Sequence, residues 1–205
     1  MSDYRELGPV PDPYFSHLHN LMEGAGIGSL EFGISLPDTN EILDVSAQGP
    51  FFGGPIGTSI YEASQYEGMR IDDAIDRTNL KLKILQIAKT AMTLHPLIVE
   101  NSPRAREYPH VQVAVKIDDI CRSPVKNVIG WHTDGGKDDN DFVVVTACDN
   151  MGTLRRSRIP GLRAHMPVGV LVEFGPDFEH AEPITRSSIP ITRTFTRHTY
   201  KRQAA

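Results

Sequence analysis

Two histidines, one aspartate and one arginine have the types and the order of a metal site with an anion-binding partner. His132 and Asp134 lie two positions apart, His180 follows much later, and Arg193 comes shortly after it. Two imidazoles and one carboxylate can hold one face of an iron(II) ion and leave its other face open. A guanidinium beyond the second histidine can pair with the carboxylate of a co-substrate on that open face.

The local sequence around these residues favours strands that could bring them together. Residues two apart on a strand point to the same side, so His132 and Asp134 can reach one ion. His180 follows the apolar segment 168–174 and the turn at Gly175 and Pro176. An alternative interpretation of the first pair remains open, in which Asp134 caps backbone N–H groups in a turn.

The other histidines and the two cysteines make poorer metal ligands. His17 and His19 lie in a proline-rich region without an obvious third ligand, and His95 precedes Pro96 at a helix end, where it is predicted to act as a local cap. Three more histidines are interpreted as partly buried strand residues, namely His110, His165 and His198. Cys121 and Cys148 do not form a C-x-x-C pair, which argues against a structural zinc site.

The apolar spacing predicts helices first and strands afterwards. Residues 71–93 have the periodicity of an amphipathic helix, which Pro96 should end. Residues 111–117, 142–147, 168–174 and 191–198 have the alternation or the apolar run of strands. We therefore predict an α+β, mainly β fold, a double-stranded β-helix (a cupin-like jelly roll) buttressed by N-terminal helices. One domain is expected over 1–205, with the buttress at about 15–100 and the core at about 108–200.

Between residues 110 and 200 the chain resembles the iron(II)- and 2-oxoglutarate-dependent oxygenases in these motifs and in their order. The resemblance implies iron(II), 2-oxoglutarate and molecular oxygen as cofactors and co-substrates, with release of succinate and carbon dioxide. It implies that His132, Asp134 and His180 are the catalytic iron ligands. Arg193 would pair with the distal carboxylate of 2-oxoglutarate, although it lies further from the second histidine than in the commonest family pattern, and Phe195 stands where Ser or Thr is usual.

Further residues are weaker candidates for the same site. Asn127 and Thr146 could assist 2-oxoglutarate binding, and Gln112, Lys116 and Arg186 could contact the substrate. The alternative for Gln112 and Lys116 is a solvent-facing side of their strand. Arg186 and Arg197 rival Arg193, but Arg186 follows His180 too closely, and Arg197 is interpreted as a solvated strand end.

The sequence predicts a dioxygenase that hydroxylates a C–H bond of a small polar metabolite, such as an amino acid or a peptide-derived compound. A nucleobase or nucleotide oxygenase is the alternative, because residues 151–205 hold nine basic and four acidic side chains. The net charge of −5 and the lack of a basic stripe with interleaved aromatic residues count against nucleic acid. A cupin-like metal enzyme that ignores 2-oxoglutarate and a non-catalytic jelly roll also remain open.

Composition sets the expected compartment. The sequence has no apolar run long enough for a membrane span and no basic start with an apolar core at its N-terminus, as a signal peptide would have. Two cysteines do not make a disulfide framework. A cytoplasmic protein without membrane contact is therefore expected, and the oligomeric state cannot be read from the sequence.

Overall fold

The fold is built from strands, with three α-helices packed on one side. The computed structural model describes residues 4–49, 68–73, 79–120, 142–148, 154–156, 163–175, 178, 180–181 and 191–202. The strands within these ranges are β1 (Tyr4–Pro9), β2 (Ser29–Ser35), β3 (Glu41–Gln48), β4 (Met69–Arg70), β5 (His110–Ile120), β6 (Phe142–Ala147), β7 (Leu154–Arg156), β8 (Arg163–His165), β9 (Val170–Phe174), β10 (His180–Ala181) and β11 (Ile191–Lys201). The helices are α1 (Tyr14–Ala25), α2 (Leu80–Met92) and α3 (Leu94–Asn101), with short 3-10 turns at Ile71–Asp73 and Pro103–Glu107.

The strands form two antiparallel sheets. The larger sheet has the order β1-β9-β6-β11-β5-β2-β3-β4, and the smaller has the order β10-β7-β8. From β5 onwards the chain passes from the larger sheet to the smaller one and back twice, ending with β11 between β5 and β6. This exchange between two sheets is the architecture of a jelly roll. The predicted fold class is therefore confirmed.

One face of the larger sheet is covered by the helices. Alternate residues of the strands point to this face, as Leu30, Phe32 and Ile34 do on β2. They pack with the apolar stripes of α1 and α2, for example with Leu18 and Ile84, and all five side chains are buried. The burial of this cluster supplies the main driving force for placing the helices on the sheet. No helix within the described ranges has both the length and the apolar content that crossing a membrane requires.

The predicted helix over residues 71–93 starts later than expected. Residues Ile71–Asp73 form a 3-10 turn, and α2 begins at Leu80. The side chain of Asn79 caps α2, because its oxygen accepts a hydrogen bond from the Lys81 N–H at 2.9 Å. Pro96 does not end the helical structure either. It lies in the first turn of α3, where the missing proline N–H breaks no helical hydrogen bond.

The N-terminal half contains more strand than predicted. The buttress expected at about 15–100 includes β2 and β3, which extend the larger sheet beyond β5. Residues Tyr4–Pro9, for which the sequence predicts no strand, form the edge strand β1, which pairs with β9. It is followed at Tyr14 by α1, a helix that the proline-rich sequence did not suggest. Tertiary packing decides these elements, since short apolar alternations occur in strands and in irregular segments alike.

Candidate active site

Strand β11 separates two environments, because its alternate side chains face opposite sides of the larger sheet. Thr196 and His198 point towards the helices, where they are hydrogen-bonded to α1 and α2. Arg193, Phe195 and Arg197 point to the other face. The division of β11 into these two sets is the one that the sequence alternation predicts. We call the side with Arg193 the inner face, because His180 of the smaller sheet contacts Phe174 on this side.

The inner face carries an apolar cluster of its own. Its members are buried or half-buried side chains from β6, β9 and β11 and from the residues beside them: Val143, Val145, Met166, Val170, Val172, Phe174, Phe178 and Phe195. A small cavity lies in this cluster beside Phe195 and is lined also by Ala147 and Pro167. The cluster provides a dry wall next to the polar residues of the inner face.

His180 opens β10 and reaches this cluster from the smaller sheet. Its side chain is 4% exposed, and its ring lies 5.2 Å from the ring of Phe174 and 6.3 Å from that of Phe178, centroid to centroid. The Nδ1 atom is 3.2 Å from the Phe178 carbonyl oxygen. Because a carbonyl can only accept, Nδ1 carries the hydrogen, and the lone pair of the neutral ring is on Nε2. This is the arrangement in which a histidine binds a metal through Nε2.

The other predicted iron ligands, His132 and Asp134, lie outside the described residues, as do Asn127 and Arg186. Within the described ranges, no three His, Cys, Asp or Glu side chains come together as a metal site. The tautomer and burial of His180 fit the role that the sequence predicts for it. The ligand set itself stays a prediction.

Arg193 is buried on the inner face. Its side chain is 5% exposed, and the guanidinium carbon lies 5.1 Å from the centroid of the Phe195 ring. A cation held over an aromatic face keeps its position at little cost, and an anion that meets it there is poorly screened by water. The environment of Arg193 therefore suits a carboxylate.

Arg197 is not at a solvated strand end, as the sequence suggested. Strand β11 continues to Lys201, and Arg197 is half-buried on the inner face opposite Val145 and Ala114. The interpretation failed because the predicted strand ended at His198, only one residue past Arg197, whereas β11 extends to Lys201.

The pairing of residues across the strands shows which of Arg193 and Arg197 lies nearer to His180 along the sheet. Phe174, which contacts the His180 ring, is paired with Val143, and Val143 is paired with Thr199. Arg197 is two residues from Thr199 along β11, and Arg193 is six. Thr199, Val143 and Phe174 thus form one cross-strand row, and this is the row of residues that meets His180, through Phe174. Along β11, Arg197 is nearer to this row than Arg193 is. The Cα atoms of the two arginines are separated by roughly 13 Å.

The weaker candidates are distributed over both faces. Lys116 is half-buried on the inner face directly opposite Phe195. Gln112 is on the same face but opposite Thr199, towards the other end of the strand from Arg193. Thr146 is paired with Thr196, so it lies on the face covered by the helices, and its hydroxyl has no hydrogen-bond partner within the described residues. The structure thus does not bring Thr146 to the side of Arg193, because the alternation of β6 turns it the other way.

The helix-facing side of β11 is held by polar contacts. The hydroxyls of Tyr14 and Thr196 are 3.0 Å apart, and His19 Nδ1 is 3.2 Å from Thr194 Oγ1. His198 donates from Nε2 to the Ala91 carbonyl at 3.2 Å. These contacts tie β11 to α1 and α2 and so define the position of the strand that carries Arg193 and Arg197 on its other face.

His95 is not a helix cap, as the sequence suggested. Its Nδ1 is hydrogen-bonded to the Tyr200 hydroxyl at 2.8 Å, and the two rings are stacked. The pKa of His95 is lowered by burial. His95 lies in the first turn of α3 and not at the end of α2, and its hydrogen-bond partner comes from β11.

Acid should weaken the folded state through His198. Burial, with a smaller contribution from His95, lowers the pKa of His198 to about 3 from the ordinary 6.5. Between these pH values the unfolded chain binds a proton at His198 that the native protein does not. The free energy of unfolding is therefore unaffected by this group well above pH 6.5, and it decreases as the pH falls from about 6.5 towards 3. From pH 7 to pH 5.5 we expect a loss of about 1 kcal/mol from this group.

Urea unfolding of the wild type and of His198→Asn at pH 7 and pH 5.5 measures how much His198 contributes to the pH dependence of stability. The asparagine keeps a donor for the Ala91 carbonyl but does not titrate, so the variant should lose less stability on acidification. His17→Asn, at an exposed position on α1, is the control and should behave as the wild type. An unchanged pH dependence in His198→Asn would contradict the assignment.

Comparison with known proteins finds no matching family and several distantly similar solved structures. No protein-family model matches the chain, and no curated protein matches it. Similar solved structures include a full-length protein from Neurospora crassa in complex with alpha-KG, at 11% identity over 96% of this chain and 72% of that chain, with a TM-score of 0.48. An oxidoreductase of the 2OG-Fe(II) oxygenase family from Burkholderia pseudomallei has 18% identity over 63% of this chain and 61% of that chain, with a TM-score of 0.36. A dioxygenase for auxin oxidation from Arabidopsis thaliana, in a complex with 2-oxoglutarate, has 12% identity over 60% of this chain and 52% of that chain, with a TM-score of 0.34.

One charged residue of the inner face was missed in the sequence. Glu31 on β2 is half-buried, and it is paired with Ala114, which is in turn paired with Arg197. The alternation of Leu30, Phe32 and Ile34 around it was a detectable signal, because it places Glu31 on the face opposite to the apolar core.

Proposed function

We propose that the protein is an iron(II)- and 2-oxoglutarate-dependent dioxygenase that hydroxylates a C–H bond of a small polar metabolite, with release of succinate and carbon dioxide. The observation that carries this proposal is the inner face of the jelly roll. There, buried His180 from the smaller sheet and buried Arg193 from the larger sheet border one apolar cluster. Binding of a chelating dicarboxylate requires a metal ligand and an anion-binding cation beside an apolar surface that excludes water.

In this proposal, His180 holds iron together with His132 and Asp134. The hydrogen bond from Nδ1 to the Phe178 carbonyl orients the ring and directs Nε2 of His180 to the role of iron ligand. When bound, iron(II) and 2-oxoglutarate would allow molecular oxygen to act as the oxidant, with two of its four electrons coming from 2-oxoglutarate as it is converted to succinate and carbon dioxide and two from the substrate C–H bond. The protein contributes a site that excludes water, in which Phe174 and Phe178 cover His180.

Arg193 is proposed to bind the distal carboxylate of 2-oxoglutarate. The planar guanidinium can form two parallel hydrogen bonds to a carboxylate, and Phe195 supports it from below. Arg197 lies on the same face and nearer to the row of residues that meets His180, which suits a second contact to the same dianion or to the substrate.

The test is an anaerobic titration of the purified apoprotein with iron(II) and then 2-oxoglutarate, followed in the visible range. We expect a saturable metal-to-ligand charge-transfer band that appears only when both are present. Iron(II) alone, and 2-oxoglutarate alone, are the controls. Tight iron binding without the band would contradict the use of 2-oxoglutarate and favour a cupin-like metal enzyme. Absence of iron binding would contradict the enzyme proposal as a whole.

A further inference from the structure

Two side chains of opposite charge face each other on the inner face without bonding. Glu31 lies on β2 and Lys116 on β5, and both are half-buried. Their chain neighbours Leu30, Phe32 and Val115 belong to the core under the helices, so Glu31 and Lys116 point to the side of Arg193. Both charges therefore belong to the face on which we propose the reaction to occur.

The two residues are diagonal neighbours on adjacent strands. Glu31 is paired with Ala114, and Lys116 is paired with Ser29. Side chains in this diagonal relation have Cβ atoms about 7–8 Å apart, within reach of a glutamate and a lysine. Yet no ion pair and no hydrogen bond joins either side chain to another residue in the described part of the chain. Their charged ends are thus directed to the space above the sheet.

Register also connects the pair to the arginines. Lys116 is opposite Phe195, the residue whose ring supports Arg193. Glu31 is separated from Arg197 by only the small Ala114. The two charges therefore lie on one side of β11, on β5 and β2. The apolar cluster and His180 lie on the other side of β11, at β6 and β9. A molecule between Glu31 and Lys116 would lie next to the proposed 2-oxoglutarate site and not inside it.

We propose that Glu31 binds the ammonium group and Lys116 the carboxylate of a zwitterionic substrate, so that the substrate class is a free α-amino acid. This inference rests on the proposed function. A half-buried carboxylate and a half-buried ammonium each lose hydration, and a ligand with both opposite charges restores a charge-assisted hydrogen bond to each. A neutral base could form a hydrogen bond to each side chain but would offer neither of them an opposite charge. A dianion would satisfy Lys116 but be repelled by Glu31.

The experiment uses the full chain with iron(II) and 2-oxoglutarate under anaerobic conditions, with the charge-transfer band as the reporter. A panel of free L-amino acids is added, together with their N-acetyl derivatives, their amides, and nucleobases and nucleotides. We expect at least one free amino acid to perturb the band and, with oxygen, to stimulate succinate release. Its N-acetyl and amide forms should need at least about tenfold higher concentration, since each has lost one of the two charges.

Two variants assign the two charges separately. Glu31→Gln should lose the preference for the free amine over the N-acetyl form, and Lys116→Met should lose the preference for the free acid over the amide. Glu41→Gln and Lys89→Met, at exposed positions, are the matched controls and should keep both preferences. Thermal unfolding verifies that each variant is folded.

The outcomes separate this inference from the proposed function. If the band forms but no free amino acid perturbs it, or if nucleobases or nucleotides act in their place, the substrate inference is wrong and the 2-oxoglutarate site stands. If Lys116→Met weakens 2-oxoglutarate itself, the lysine belongs to the co-substrate and the inference is overturned. If no band forms in the wild type, the proposed function fails and the inference fails with it.

Discussion

Replacement of His180 by alanine is expected to abolish the charge-transfer band and the release of succinate. The change removes one of three protein ligands, and iron affinity should fall by a factor of roughly 100 or more, since even the loss of a hydrogen-bond partner of a ligand costs about 10–100-fold. The measurement is the anaerobic iron(II) titration, followed by a succinate assay at saturating 2-oxoglutarate.

Stability has to be separated from metal binding in this experiment, because His180 is buried against Phe174 and Phe178. His180→Gln fills more of the space and serves as a second variant, and His17→Ala, at an exposed position, is the matched control. Both His180 variants should unfold cooperatively and yet fail to bind iron tightly. Iron binding as tight as that of the wild type in a folded His180 variant would rule out His180 as a ligand.

Replacement of Arg193 by alanine should raise the apparent KM for 2-oxoglutarate by about 10–100-fold and leave iron binding intact. Hydrogen bonds to a charged group contribute about 1.5–3 kcal/mol, and each 1.4 kcal/mol corresponds to a factor of ten. Arg193→Lys keeps the charge but loses the bidentate geometry, so it should recover only part of the affinity. The readout is succinate release as a function of 2-oxoglutarate concentration.

Arg197→Ala identifies which arginine binds the distal carboxylate. If Arg193 does, Arg197→Ala should affect 2-oxoglutarate less than Arg193→Ala does, and the exposed Arg70→Ala should have no effect. A larger effect of Arg197→Ala would transfer the role to Arg197. That result would also fit its position nearer to the row of residues that meets His180.

The strands that the C-terminal half contributes to the larger sheet were predictable from the sequence. Residues 142–147 coincide with β6, and 111–117 and 191–198 lie within β5 and β11. These segments are rich in β-branched residues or alternate strictly between polar and apolar residues, and both patterns favour strands. The tertiary structure agrees with this local preference because each of the three strands is paired on both sides in the larger sheet. The elements between residues 14 and 48 were harder, since α1, β2 and β3 are short and stabilised by packing against distant parts of the chain.

For the candidate site, the sequence identified candidate residues more reliably than it identified the face of the sheet on which they lie and the residues around them. It pointed to His180 and Arg193, both of which are buried at the inner face. It did not reveal that Thr146 faces the helices, that Arg197 lies within the strand, or that Glu31 joins the inner face. Alternation divides each strand into two faces, but which of these residues share a face with Arg193 depends on the pairing of strands that are far apart in the sequence, and the sequence does not record that pairing directly.

By itself, then, the sequence determined the order of the chemically capable residues, the mainly β class and the division of β11 into two faces. A period of two residues is a local property, and it can be read without knowing what either face contacts. Only the tertiary structure decided which face packs against α1 and α2 and which one carries Arg193 to the cluster beside His180. The physical reason is that burial is non-local: the inner face of β11 lies on the side of the apolar cluster and of His180, and most of those residues belong to other segments of the chain.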